Sequence, residues 1–133
     1  MVARLLASAT LLGALAAWPS AASAMSLKFS LKFSWAGFAA CSPRSPAFAL
    51  ADVPNGTARL AFRMIDRQVP GYPHGGGTVA YAGGNAIAAG AFTFKGPCPP
   101  AGAHHVYQWT VRALDRAGNT LGSASAEATF PPE

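Results

Sequence analysis

Apolar side chains alternate with polar or small ones along several segments of this chain, and no segment shows the spacing of an amphipathic helix. The alternation is clearest over residues 27–35, 58–65 and 105–113. A period of two indicates half-buried β-strands. Residues 120–130 follow the turn at 115–119 and run back as a further strand. The pattern predicts an all-β fold, an antiparallel β-sandwich with little helix.

Glycine- and proline-rich stretches separate these segments. The chain has 14 Gly and 11 Pro, which disfavours a helical bundle and suits short strands joined by turns. Residues 42–46, 66–77 and 96–102 are expected to be loops, the last of them stiffened by prolines. Brief strands are expected at 78–81 and 91–94.

Length and charge limit the function further. The 133 residues suit one domain, and 51% of them are hydrophobic while 11% are charged, which excludes a disordered tail. The formal charge is +5, without a basic run of four or more residues. Cations this diffuse do not form a nucleic-acid-binding surface. We therefore expect no nucleic-acid partner and at most peripheral contact with a membrane.

Residues 1–24 have the organisation of a secretory signal peptide. A basic start precedes an apolar stretch over residues 5–17, and an Ala-x-Ala site ends at Ala24. The apolar stretch is shorter than the roughly 20 residues that a membrane span needs. We expect cleavage between Ala24 and Met25, a mature domain of residues 25–133, and a periplasmic or secreted location. Translation from Met25 would instead leave the protein in the cytosol.

Export changes the meaning of the two cysteines, Cys41 and Cys98. In an oxidising compartment a single pair indicates a disulfide, whereas in a reducing cytosol it suggests metal binding or catalysis. A bridge between them would close a long loop and stabilise the fold by about 4 kcal/mol. Two buried free thiols are the alternative.

Two loops and the strand ends beside them hold polar residues that could form a ligand site. Asp66 ends one strand, and His74 follows in the first loop. His105 and Tyr107 follow the second loop and share one face of a strand, because side chains alternate. A carboxylate near an imidazole orients the ring and favours its protonated form. With the backbone amides of residues 75–77, these groups would bind an anion.

Short loop motifs occur in one order over nearly all of residues 25–133. They lie at 41–48, 53–57, 66–74, 96–107, 113–115 and 121–124. The most specific is Gly-Pro-Cys-Pro-Pro at 96–100, followed by His105-Val106-Tyr107. In this order the motifs resemble those of the phosphatidylethanolamine-binding protein family, also called the Raf kinase inhibitor-like family, in its bacterial branch.

The resemblance implies a phosphatidylethanolamine-binding-protein-like β-fold with a small anion-binding pocket at one end. The residues implied to line it are Asp66, Pro70, His74, Gly96, His105 and Tyr107. The implied ligand is a phosphate, a carboxylate or a phospholipid head group, with no cofactor and no metal. Catalytic turnover is not general in the family, so the protein is expected not to be an enzyme. Some members inhibit kinases or proteases, but the sequence does not identify a protein partner for this chain.

The sequence departs from the family pattern beside the implied pocket. Gln68 replaces a second aspartate, Gly75 replaces a tryptophan, and Val106 replaces an arginine. Asp115 also leads directly towards the final strand, where bacterial relatives insert a helix. These departures predict a shallower, more open pocket that has lost a charged contact.

Other functions use the same residues. Residues 74–77 read His-Gly-Gly-Gly, as in esterase oxyanion holes, but no Gly-x-Ser-x-Gly elbow accompanies them. A metal site built from Cys98, His74, His104 and His105 is disfavoured, because two adjacent histidines point to opposite sides of a strand.

A fibronectin type III or immunoglobulin-like module that binds another protein is the main alternative. Residues 107–119 are similar to the penultimate strand and turn of such domains, with Tyr107 as the corner tyrosine. This alternative leaves the motif at 96–100 unexplained.

Overall fold

A computed structural model describes residues 25–133. The predicted signal peptide and its cleavage site therefore lie outside the described residues. Within 25–133 every regular element is a β-strand, and no helix is long and apolar enough to cross a membrane.

Two sheets form the fold. The strands in the described chain are β1 (Leu27–Lys28), β2 (Ser30–Lys32), β3 (Phe48–Ala51), β4 (Arg59–Asp66), β5 (Gly76–Ala80), β6 (Ala86–Ile87), β7 (His105–Leu114) and β8 (Thr120–Phe130). The larger sheet has the order β1-β8-β7-β4-β5, and the smaller has the order β2-β3-β6. All neighbours are antiparallel except β1 and β8, which run parallel. The predicted all-β class is confirmed, with one parallel pair.

The alternation along β4 separates the two faces of the larger sheet. Leu60, Phe62 and Met64 are buried, whereas Arg59 and Arg63 are exposed. Apolar burial favours this register, since a shift by one residue would move every side chain to the other face.

The pairing of β4 with β7 brings distant residues to one end of the sheet. The two strands pair along the whole of β4, so that its last residue, Asp66, lies opposite Tyr107. The strand β7 also pairs with β8, beginning with His105 opposite Phe130. Asp66, His105 and Tyr107 therefore meet at the same end of the larger sheet.

Aromatic rings from both sheets fill the core. Trp109 is fully buried and meets Phe48 edge to face, with ring centroids 5.2 Å apart. Trp35 meets Tyr107 in the same way at 6.1 Å. Edge-to-face pairs add about 0.5–1.5 kcal/mol beyond their burial. Tyr107 is therefore fixed from beneath by the core.

Residues 27–35 were predicted as one strand, and this was wrong. The segment forms β1 in the larger sheet and β2 in the smaller sheet, and the chain changes sheet at Phe29. Leu27 is accordingly 57% exposed, whereas Leu31 is buried. The strand β1 passes close to β8 at Gly122, where a Cβ would overlap the Leu27 carbonyl oxygen.

The predicted strand at 91–94 was also wrong. Only Thr93 forms an isolated bridge there, and the short strand lies earlier, at Ala86–Ile87. Phe92 instead donates its amide to the Ser45 hydroxyl, and its carbonyl accepts from the Ser45 amide. Ser45 thus forms hydrogen bonds with the Phe92 backbone that a partner strand would otherwise form.

Gly76 and Gly77 lie in β5 rather than in the loop predicted over 66–77. They pair with Arg63 and Phe62. A Cβ on Gly76 would overlap the Phe62 carbonyl oxygen, and one on Gly77 would press into the Phe92 ring. These glycines allow β5 to pack closely, so we do not assign their amides to an anion.

A disulfide joins Cys41 to Cys98, as predicted, across a sequence separation of 57 residues. The described chain has no free cysteine, which overturns the free-thiol alternative. The Cys41 amide also donates to the Pro97 carbonyl over 2.8 Å. The bridge therefore fastens the proline-rich loop beside the end of the sheet that carries His105 and Tyr107.

Candidate ligand-binding site

Asp66 is held at the end of β4 by the turn that follows it. Its Oδ1 accepts hydrogen bonds from the amides of Gln68 and Val69, over 2.9 Å and 3.0 Å. An aspartate that accepts from the backbone two residues on stabilises such a turn. The carboxylate is 94% buried, since its side chain is only 6% exposed.

The second carboxylate oxygen of Asp66 binds His105. The distance between Asp66 Oδ2 and His105 Nδ1 is 2.6 Å. Burial raises the pKa of Asp66, but the hydrogen bond from His105, those from the two amides and the charge of His105 outweigh it. The pKa of Asp66 is therefore lowered from its ordinary 3.8. Asp66 is ionised near neutral pH, with its charge directed into these bonds.

Tyr107 completes the group around Asp66. Burial raises the pKa of Tyr107 to about 12, and the Asp66 charge and a hydrogen bond to that carboxylate add to the rise. The ring stacks beside His105, with centroids 6.2 Å apart. The phenol is therefore held in its protonated form beside Asp66.

His74 approaches from the first loop and is 5% exposed. Its Nδ1 lies 2.6 Å from the Lys95 carbonyl oxygen, and the Lys95 amide donates to the His74 carbonyl over 2.9 Å. The ring meets Tyr107 at right angles, with centroids 5.5 Å apart. His74 and His105 thus both lie next to one buried tyrosine.

These residues line a cavity of about 270 Å³. Its wall consists of Asp66, Val69, Tyr72, His74, Cys98, Pro99, Pro100, His105 and Tyr107. Four of the six residues implied by the resemblance are therefore brought together. Pro70 and Gly96 are not among the lining residues.

Pro70 and Gly96 have other positions. Pro70 faces a neighbouring groove on the outer side of β4 and β5. Gly96 is buried, and a Cβ there would overlap the Ser42 carbonyl oxygen. Gly96 therefore lets the loop that carries Cys98 pack closely against the loop that carries Cys41.

The sequence did not identify Tyr72 and Val69 as lining residues. Their side chains are 48% and 46% exposed, although both are large and apolar. Tyr72 packs on the His74 ring at 4.6 Å, and Lys95 Nζ lies 5.7 Å from the Tyr72 ring. An exposed aromatic two residues before a candidate histidine was the only available signal.

Gln68 and Val106, two of the departures from the family pattern, are in contact. Gln68 Oε1 accepts a hydrogen bond of 2.7 Å from the Val106 amide, and the Arg67 amide donates to the Val106 carbonyl over 2.8 Å. Both bonds use the backbone of residue 106. They fasten the turn after Asp66 to β7 without an ion pair.

The ring nitrogens of the two histidines have defined roles. Each Nδ1 faces an acceptor, a carbonyl oxygen or a carboxylate, and must carry a hydrogen. Trp109 Nε1 is the only buried side-chain polar atom without a partner in residues 25–133. The Nε2 atoms of His74 and His105 have no partner in the described chain and are not among the buried atoms, so solvent reaches them. These atoms are acceptors when the rings are neutral and donors when they are protonated.

The residues do not assemble a metal site. No group of three or more His, Cys, Asp or Glu that could hold a metal ion occurs within 25–133. His104 lies apart from the cavity lining, with its Nδ1 3.0 Å from the Pro131 carbonyl oxygen. Cys98 is committed to the disulfide.

Comparisons with known proteins bear on the fold. No protein-family model matches the sequence, and no curated protein matches it. A phosphatidylethanolamine-binding protein homologue from Chlamydia trachomatis has a similar structure, with a TM-score of 0.59 and 19% identity over 80% of this chain and 99% of that chain. YbcL of Escherichia coli, a member of the mammalian family, matches at a TM-score of 0.49 and 21% identity, over 68% of this chain and 82% of that one. The first of these likenesses shows that the chain has a phosphatidylethanolamine-binding-protein-like fold, as the sequence motifs implied.

Proposed function

We propose that this protein binds a small anion in the cavity between His74 and His105 and that it acts by binding rather than by catalysis. A fold of this type suits ligand binding in general, and the observation that specifies an anion is the pair of anchored imidazoles. Each ring is fixed through Nδ1, so Nε2 is its one polar atom left for a ligand. Protonated imidazoles donate charge-assisted hydrogen bonds, which are about twice as strong as neutral ones.

Asp66 directs its charge into bonds within the protein in this arrangement. Its oxygens already accept from two amides and from His105. The same carboxylate holds the His105 ring through Nδ1, so Nε2 is the ring nitrogen left for a ligand. Asp66 thus positions a donor to the ligand.

The cavity limits the size of the ligand. About 270 Å³ lies near the lower limit of small-molecule sites, roughly 300 Å³. Inorganic phosphate, acetate and a phosphoethanolamine head group are ligands of suitable size. Pro99, Pro100 and Val69 offer apolar contacts to the carbon atoms of such a ligand.

The lining residues also support a role without turnover. They include no serine, threonine or free cysteine that could act as a nucleophile. The two histidines and Asp66 can move protons, but general acid–base catalysis also needs a reacting group placed within hydrogen-bond reach. We therefore propose binding alone.

Export completes the proposal. The disulfide supports a periplasmic or secreted location, because such bonds persist in oxidising compartments. Residues 1–24 would direct that export. Intact mass of the protein secreted from its native host tests this point, and a chain that still begins at Met1 would contradict it.

The binding proposal is tested by NMR titration of the imidazole rings. Phosphate, acetate and phosphoethanolamine are added in turn to the protein at millimolar concentration. The ring resonances of His74 and His105 are expected to shift, whereas those of His104, outside the cavity, are expected to stay in place. The proposal fails if none of the three ligands shifts His74 or His105 more than His104.

Matched substitutions sharpen the test. His74→Gln and His105→Gln each remove one donor and should weaken phosphate binding by roughly tenfold or more, because a hydrogen bond to a charged group contributes about 1.5–3 kcal/mol. His104→Gln is the control, since it changes a neighbouring imidazole that does not line the cavity. Equal affinity in all three variants would contradict the assignment.

A further inference from the structure

The outer face of the larger sheet carries a row of cations that the proposed anion site does not use. Arg59 and Arg63 lie on the exposed face of β4, and Arg112 lies on the same face of β7. Arg63 pairs with Thr110 and Arg59 pairs with Leu114, so Arg112 is the diagonal neighbour of both. Diagonal neighbours on one face of two antiparallel strands are about 7–8 Å apart, so long side chains such as arginine come close to each other.

These three guanidinium groups are unpaired in the described part of the chain. The ion pairs found there join Arg67 to Glu127 and His105 to Asp66. No side-chain hydrogen bond of Arg59, Arg63 or Arg112 occurs among residues 25–133. Three unpaired cations on one rigid face create a local positive potential that attracts an anionic partner.

The face is concave beside β5 rather than flat. Arg63 and Arg112 border a groove of about 790 Å³, which Tyr72 and Pro73 of the first loop also line. Thr78 and Thr110 are also among the lining residues. We call this surface the arginine groove, defined by Arg63, Arg112, Thr78, Thr110, Tyr72 and Pro73.

We propose that the arginine groove is a second binding site, specific for an acidic polysaccharide. Guanidinium groups bind carboxylate or sulfate groups through two parallel hydrogen bonds. The hydroxyls of Thr78 and Thr110 can exchange hydrogen bonds with sugar hydroxyls. Tyr72 supplies an aromatic face against which the apolar side of a sugar ring can pack.

The same features disfavour other polyanions. Single-stranded nucleic acid is bound on a series of aromatic platforms, and the lining of this groove includes only Tyr72 as an exposed aromatic. An anionic bilayer is a plane, and Arg63 and Arg112 border a concave surface that a plane cannot follow. A second copy of this chain carries the same excess of positive charge.

Binding of polygalacturonate fragments tests the proposal, measured by titration calorimetry at low and at physiological salt. We expect binding that weakens with salt, since exposed charges are screened. Arg63→Gln/Arg112→Gln should bind roughly tenfold more weakly or worse. Arg63→Lys/Arg112→Lys keeps the charge and should lose part of the affinity, because the planar fork is absent.

The control removes the same number of charges elsewhere. Lys32→Gln/Arg116→Gln changes exposed cations on β2 and in the β7–β8 turn and should leave polygalacturonate binding within about threefold. An equal loss in this variant overturns the proposal, because attraction would then depend on net charge alone. Tighter binding of oligothymidylate or of phosphatidylglycerol vesicles than of polygalacturonate also overturns it.

Failure here is distinguishable from failure of the proposed anion site. Arg63→Gln/Arg112→Gln is expected to keep the phosphate-induced shifts of His74 and His105. His105→Gln is expected to keep polygalacturonate binding, since His105 does not border the arginine groove. If His105→Gln abolished both activities in a folded protein, a separate second site would be excluded.

Discussion

His105 Nδ1 lies 2.6 Å from Asp66 Oδ2, although 39 residues separate the two in sequence. The contact depends on the pairing of β4 with β7, which places Asp66 opposite Tyr107, two residues from His105. Its chemical consequence is an ionised carboxylate whose oxygens are hydrogen-bonded within the protein and an imidazole with one accessible nitrogen. Four of the predictions below concern this group or the structure that supports it.

Asp66→Asn should lower the free energy of unfolding more at neutral pH than at acidic pH. The pKa of Asp66 is lowered in the folded protein from 3.8, so its contribution is present above that value and is lost as pH falls through the lower folded value. Loss of the charged hydrogen bonds should lower the free energy of unfolding by about 2–3 kcal/mol at neutral pH. Urea unfolding between neutral and acidic pH measures the difference. Asp52→Asn, in the exposed turn after β3, is the control; equal effects of the two substitutions would contradict the prediction.

Tyr107→Phe should make the free energy of unfolding less dependent on pH in alkaline solution. The pKa of Tyr107 is raised from 10.0 to about 12. A group with a raised folded pKa contributes stability below the unfolded value that is lost as pH rises through the folded value, here about 2–3 kcal/mol between pH 10 and pH 12. The phenylalanine variant should lack this loss, as measured by chemical unfolding at increasing pH. Tyr81→Phe, whose hydroxyl bonds the exposed Gly84 carbonyl, should retain it.

Acetate affinity should be higher in mildly acidic than in alkaline solution, because acetate stays ionised while a protonated imidazole gains a donor at Nε2. Each Nε2 of His74 and His105 donates to an anion only in the protonated ring, because Nδ1 is already engaged. Calorimetric titrations at several pH values, with uptake of protons measured from the buffer dependence of the heat, test this. Affinity that is independent of pH would show that the imidazoles are not the donors.

Removal of the disulfide should destabilise the fold and loosen the cavity wall. A bridge spanning 57 residues contributes about 4 kcal/mol in the chain-entropy description. Cys41→Ala/Cys98→Ala should lose about this much in urea unfolding, and phosphate should bind it more weakly because Cys98 lines the cavity. Reductant should lower the stability of the wild type but not of the double variant. A wild type unaffected by complete reduction would refute the prediction.

Gly76→Ala should be strongly destabilising, whereas Gly71→Ala should be nearly neutral. A Cβ at Gly76 would overlap the backbone of Phe62 and Arg63, but one at Gly71 would meet nothing within 4 Å. Overpacking of this kind costs about 1–3 kcal/mol or more. Thermal unfolding of the pair tests whether Gly76 is required by packing, and equal midpoints would contradict that role.

Much of the fold could be predicted from local pattern. Alternation identified β4 and β7 within one residue, because each strand buries one face and exposes the other, and the turn at 115–119 identified β8. The first strand and the strand at 91–94 were predicted incorrectly for the same reason: their pairing depends on partners elsewhere. The spacing of apolar residues does not indicate the change of sheet at Phe29 or the serine contacts at Phe92.

The candidate site divides in a similar way. The residue types and the order of the motifs were enough to select Asp66, His74, His105 and Tyr107, all of which line one cavity. They were not enough to separate these from Pro70 and Gly96, which lie elsewhere. The lining of a cavity depends on which side of a loop faces inward, and residue types and motif order do not determine that.

The order of apolar and polar residues determined that β4 and β7 are strands and which of their faces are buried, because burial of one face is a local property of the chain. The cysteine pair and the loop motifs added the disulfide and the type of fold. Only the tertiary structure decided that Asp66 meets His105 and that Arg112 lies between Arg59 and Arg63. Such meetings follow from the register of strands distant in sequence, and that register is set by the packing of the whole core.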